Sequence, residues 1–162
     1  EKQKAKFIYG ILEKPFRNYY KKAKKLGYNF YDVIKVASIV EREAKLDEER
    51  PLVASVVYNR LKKGMKLQMC SSVSYLLDDG RVNLTNADIA IDSPYNTYKH
   101  EGLTPTPIGS AGSASIDAAF NPKKSLDSVF ELSPVLSRVT PLNVSCPFLF
   151  TKTQLSSTLL DL

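Results

Sequence analysis

The apolar positions open in a helical rhythm. Phe7, Ile8, Ile11 and Leu12, then Phe16, Tyr19, Tyr20, Ala23 and Leu26, recur at intervals that place side chains on one helix face. Pro15 divides the run, so the pattern predicts two helices, the second with proline in its first turn and a stop at Gly27. Asn29, with Asp32 three residues on, has the form of an N-cap pair. The helix it opens carries Val33, Val36, Ala37, Val40 and Ala44 on one stripe. A further helix is predicted from Pro51 through Val53, Val56, Val57 and Leu61. Asp47-Glu48-Glu49 precedes it and Lys62-Lys63-Gly64 closes it. Acid at the start, cations at the end and a terminal glycine all suit a helix dipole and its C-terminal turn.

After Gly64 the rhythm breaks up. Residues 65–112 hold short apolar pieces separated by Asp78-Asp79-Gly80, by Ser93-Pro94 and by a proline-rich loop over 104–108. A short helix is predicted after Thr85, with Asp88 as its capping partner, and another from near Ser113 through Ile116, Ala119 and Phe120 to Asn121-Pro122. Val129-Phe130 and Phe148-Leu149-Phe150 read as strands. Helices first, then loops and short strands, predict an α+β class in which N-terminal helices pack with a small mixed or antiparallel sheet. The corresponding division is a basic helical lead-in over 1–27, a core over 28–125 and a C-terminal segment over 126–162 that completes the domain with strands.

Composition narrows the classes. A chain of 162 residues with 43% hydrophobic content suits one domain or part of a larger protein, and excludes wholesale disorder. An opening Glu1 in place of Met reads as an excised domain. No apolar run is long enough to span a bilayer as a helix. Cys70, Cys146 and the single His100 form neither a disulfide framework nor a zinc-ligand pattern, and His100 is expected on a surface loop. The net charge of +6 is unevenly placed: residues 1–25 carry nine Lys/Arg against two acids, and residues 26–162 carry 14 against 15. The leading segment is therefore either a solvated helix face or a surface for an anionic polymer or lipid.

Candidate chemistry concentrates in Ala37-Ser38-Ile39-Val40-Glu41-Arg42-Glu43-Ala44. At 100° per residue, Glu41 and Glu43 lie about 200° apart, so each borders the apolar stripe on its own side while Arg42 faces away. A carboxyl at such a border is partly desolvated, which disfavours its charge and suits general-acid work. Two ordinary boundary glutamates fit the wheel equally well, and the wheel does not choose between them.

This octapeptide, together with Glu49-Arg50-Pro51-Leu52-Val53-Ala54-Ser55-Val56-Val57-Tyr58-Asn59-Arg60-Leu61 and Gly64-Met65-Lys66-Leu67-Gln68, resembles the catalytic domain of endolytic murein transglycosylases, the YceG-like family. Pro94-Tyr95-Asn96-Thr97-Tyr98, Gly102-Leu103 with its proline-rich loop, and Ala118-Ala119-Phe120-Asn121-Pro122 continue the likeness over roughly residues 28–125. Where the family pattern reads Leu-Gln-Ser-Asp-Pro-Thr-Val, this chain has Leu67-Gln68-Met69-Cys70-Ser71-Ser72-Val73.

The resemblance implies a lytic transglycosylase of bacterial peptidoglycan with a lysozyme-like active-site arrangement. Such an enzyme cleaves the MurNAc–GlcNAc β-1,4 bond within glycan strands, leaves 1,6-anhydro ends, and uses neither metal nor organic cofactor. It assigns catalysis to Glu43, the second glutamate of the Glu-x-Glu pair. Gln68, Tyr95, Asn96, Tyr98 and Glu41 become candidate substrate-binding residues, through amide hydrogen bonding and aromatic ring faces. Implied partners are glycan strands and cell-wall synthases, with no nucleic acid. The implied location is the extracytoplasmic face of the cytoplasmic membrane, through an anchor outside this chain. Two alternatives stand beside this: a glycan-binding module of the same fold with weakened catalysis, and a nucleic-acid-binding domain using Lys21, Lys22, Lys24 and Lys25.

Overall fold

The computed structural model describes residues 16–78 and 84–123. They form six helices: α1 over residues 16–26, α2 Phe30–Glu43, α3 Arg50–Lys62, α4 Cys70–Leu77, α5 Asn86–Ile89 and α6 Ser113–Phe120. The helix over residues 7–12, the strands at 129–130 and 148–150, and the segment 126–162 lie outside the described residues.

Helix α2 is the element around which the others pack. The Asn29 side chain accepts from the Asp32 N–H at 2.8 Å, satisfying one of the donors a helix start leaves unpaired. Five of its residues are Val or Ile, poor intrinsic helix formers, so burial rather than propensity holds it. Val33, Val36, Ala37, Ile39 and Val40 have no exposed surface. They meet α6 on one side, α3 on another and α4 near the helix end. Ala118, Ala119 and Phe120 of α6 and Val53, Val56 and Val57 of α3 complete this core.

Helix α1 joins through aromatic rings. Tyr19 packs on Phe120 and Tyr20 stacks on Phe30, with ring centroids 4.8 and 4.6 Å apart. The turns behave as their residues require: Gly27 and Gly64 stop α1 and α3 at φ of 85° and 64°, a region that costs a side-chain-bearing residue energy. The Thr85–Asp88 capping box is present in both directions.

The expected sheet is not found. The described residues are 56% helical and contain no strand, so the α+β class, with its mixed or antiparallel sheet, is corrected to an all-helical arrangement over this region. The apolar pieces of 65–112 that suggested strands are partly helix α4. Cys70, Val73 and Leu77 recur at intervals of three and four and meet Leu84 in a small second core. Outside α4 and α5, the described residues of this stretch are loop held by hydrogen bonds, chiefly over 93–100.

Tyr58 ties α3 to α6 through its buried hydroxyl, which donates to the Ala119 carbonyl at 2.9 Å. Tyr58→Phe is expected to lower unfolding free energy by about 1–2 kcal/mol, because a buried acceptor loses its donor while ring packing is kept. Urea denaturation of both proteins measures this, and coincident curves would contradict the assigned role.

Candidate active site

Glu43 is the last residue of α2 and 4% exposed. A buried carboxyl needs a partner, and the start of α4 supplies one. Met69 occupies the N-cap of α4 and has no side chain able to cap it. One donor of that first turn is met from another helix: the Ser71 N–H donates to Glu43 Oε1 at 2.8 Å. Glu43 thus serves α4 as a cap reaching in from α2, with its carboxyl at the positive end of the α4 dipole. Ser71 Oγ is buried and makes no hydrogen bond among the described residues.

A second ionisable group enters the same region from α3. Arg60 is 4% exposed and donates through its guanidinium to the Leu67 carbonyl. Burial pushes this guanidinium below its usual range, opposed by the charges of Tyr98 and Glu43. Its signal lay in the sequence: Arg60 follows Val56 and Val57 by four and three positions, which puts it on the apolar face of α3.

The loop over 93–100 is bolted to the segment that leads into α4. The Gln68 N–H donates to the Thr97 carbonyl at 3.0 Å, and the Met69 N–H to Thr97 Oγ1 at 2.9 Å. Ser72 Oγ lies 2.8 Å from Thr97 Oγ1, and Cys70 Sγ lies 3.0 Å from the Tyr98 hydroxyl. Thr97 and Ser72, which fix this junction, were not among the expected site residues. Short hydroxyl side chains carry no periodic pattern that would single them out.

Of the expected binding residues, Gln68 and Tyr98 adjoin the α4 start beside Glu43. Gln68 is exposed and held at φ 52°, a left-handed conformation unusual for a residue with a side chain. Asn96 has no exposed surface, and its amide faces inward. Nδ2 donates to the Ile89 and Ile91 carbonyls at 2.9 and 2.7 Å, and Oδ1 accepts from the Tyr98 N–H. Its groups therefore shape the loop. Tyr95 hydrogen-bonds Thr106 at 2.8 Å, and its ring lies 5.2 Å from that of the exposed Tyr75, which sits one turn beyond Ser71 on α4.

Glu41 points elsewhere, as the wheel required. Its Oε2 accepts from the Gly112 N–H at 2.9 Å, at the start of α6, and lies 3.4 Å from the Arg50 guanidinium. Arg50 also donates to Ser115 and to Asp47. The Gly112 N–H, then the Ser115 hydroxyl, with a smaller effect of Arg50, hold the Glu41 carboxyl below the ordinary glutamate range against partial burial. His100 sits on an exposed loop, with Nε2 2.9 Å from Asp92 Oδ1.

A family model described as the YceG-like family matches residues 2–130, and the chain belongs to that family. It is 43% identical over 106 residues to the endolytic murein transglycosylase of Bacillus subtilis (strain 168), a match covering 65% of this chain and 29% of that protein. A crystal structure of a yceG-like protein from Listeria monocytogenes aligns with a TM-score of 0.63 and 40% identity, over 68% of this chain and 36% of that one. The chain thus spans little more than a third, or less, of the length of these relatives. Over 23 residues, 14% of this chain and 12% of that one, it is 96% identical to small ribosomal subunit protein uS4 of Agathobacter rectalis.

The Glu41 environment generates a pH prediction. A carboxyl held low in the folded state contributes stability above the unfolded glutamate value, about 4.3, and that stability is lost as pH falls through the lowered folded value. Glu41→Gln should therefore lower stability near neutrality and flatten the acid limb of a plot of melting temperature against pH. An acid limb as steep as that of the parent would refute the assignment.

Proposed function

We propose that this chain is the catalytic part of a peptidoglycan lytic transglycosylase, with Glu43 as the single proton-transfer residue. Membership of the YceG-like family and the named activity of the Bacillus subtilis relative support this reading. The observation that carries it is a glutamate 4% exposed yet seated at the end of its helix, bonded to the start of α4 three residues beyond the exposed Gln68.

One carboxyl suffices for the reaction. Its proton passes to the glycosidic oxygen as the bond from muramyl C1 to that oxygen breaks. The resulting carboxylate then takes the proton of the muramyl 6-hydroxyl as that oxygen bonds to C1. Glu43 ends as it began, and the product carries a 1,6-anhydro ring. Ordinary glycosidases use a second carboxylate for water or as nucleophile; here the sugar's own hydroxyl takes that place, and no water, metal or organic cofactor enters. Gln68 and Tyr98 flank the site as sugar contacts, with Tyr95 farther along. The substrate places the reaction at the extracytoplasmic face of the bacterial membrane, where cell-wall synthases work on the same strands.

Digestion of purified peptidoglycan, with mass analysis for anhydro-muropeptides, tests the reading. Glu43→Gln is expected to lose about 10²–10⁴-fold in turnover while keeping glycan affinity, the usual contribution of general acid–base catalysis. Glu41→Gln is expected to lose far less, since its bonds run to Gly112 and Arg50. Full activity in folded Glu43→Gln sinks the mechanism.

A second reading is favoured by the charge of residues 1–25. In it Lys21, Lys24 and Lys25, all exposed on α1, meet phosphates of a nucleic acid. It expects RNA binding that weakens steeply with salt and disappears when residues 1–25 are removed; retention without them, or no binding at low salt, excludes it.

A further inference from the structure

Helix α4 meets Glu43 at Ser71, and its next turn carries Tyr75. Residues four apart share a helix face, so Tyr75 leaves α4 on the same face as Ser71, about 6 Å farther along the axis. Tyr75 is 39% exposed, a large apolar surface left to water. Its ring does not stand alone: the Tyr95 ring lies 5.2 Å away with the two planes 40° apart. Together they make a shallow aromatic surface one helical turn from the point where Glu43 meets α4.

That surface is held from beneath. The Tyr95 hydroxyl shares a hydrogen bond with Thr106 Oγ1, so the ring is fixed at its far end. The next residue, Asn96, is wholly buried with its amide on the Ile89 and Ile91 carbonyls, and Thr97 accepts from the Met69 N–H just ahead of α4. Loop and helix are thereby tied together, and the rings keep their separation. A tyrosine has few torsions to order, so such a pair binds at little entropic cost. With the Tyr95 hydroxyl engaged, the pair offers ring faces, whose negative charge attracts the C–H groups on the face of a pyranose.

We propose that Tyr75 forms, with Tyr95, a stacking platform for a pyranose ring of the glycan strand, in a subsite adjacent to the reacting bond. The proposal rests on the transglycosylase reading and adds to it a substrate contact on α4. Because a ring stacked away from the reacting bond is held equally before and during the reaction, its loss should fall on KM. Tyr75→Ala is expected to raise KM about tenfold with kcat unchanged, the scale of one good aromatic contact. Tyr75→Phe, which keeps the ring, should retain the parent KM.

The substrate for the test is glycan strands stripped of their stem peptides, with melting temperatures to establish that both variants are folded. An unchanged KM in Tyr75→Ala, a loss confined to kcat, or an equal KM defect in Tyr75→Phe overturns the platform. A KM defect seen only on strands that still carry peptides assigns the rings to the peptide and overturns the sugar as occupant. A second measurement needs no turnover: titration with an N-acetylglucosamine tetramer, read on the Tyr75 and Tyr95 ring protons by NMR, with Tyr75→Phe identifying the Tyr75 signals. Saturable shifts of both rings support the platform, and unmoved rings overturn it. Should the parent yield no anhydro products, the transglycosylase reading fails, while this titration still decides whether the rings take a sugar.

Discussion

The end of α2 is fixed by burial on several sides, and the site depends on that constraint. A helix whose Val33, Val36, Ile39 and Val40 have no exposed surface cannot rotate without opening its contacts with α3 and α6. Its final turn is then held in one orientation. The two glutamates there, separated by roughly half a turn of the wheel, are sent to different neighbours for geometric reasons before any chemistry is considered.

Those neighbours give the carboxyls unlike surroundings. Glu41 reaches the start of α6 and the Arg50 guanidinium, and links α2, α3 and α6 at the surface. Glu43 reaches the start of α4 in the interior, near Arg60. A charge-bearing group is expensive to bury alone, and a helix start is expensive to bury uncapped. Each need answers the other, which accounts for a glutamate only 4% exposed.

The loop facing the α4 start follows the same rule of mutual satisfaction. Thr97 and Asn96 are buried polar residues with partners on the Gln68–Ser72 segment and on the Ile89–Ile91 backbone. They hold in place a stretch that has no regular secondary structure. Gln68 is thereby kept exposed in a left-handed conformation, where strain is held by surrounding hydrogen bonds.

Much of this was legible in the residues. The stripe of α2, the Asn29 and Thr85 caps, the glycine stops at 27 and 64, and the divergence of Glu41 and Glu43 all follow from local rules of period and capping, which act within a few residues. The family likeness was legible too, because its motifs occur in order along the chain. The sequence did not determine what each carboxyl would meet, because that depends on segments some 30 and 70 residues away. Nor did it reveal that 70–77 is helix, that Asn96 turns inward, or that Arg60 and Thr97 belong to the site. A buried polar group is decided by the partner that satisfies it, and only the tertiary fold brings that partner within reach.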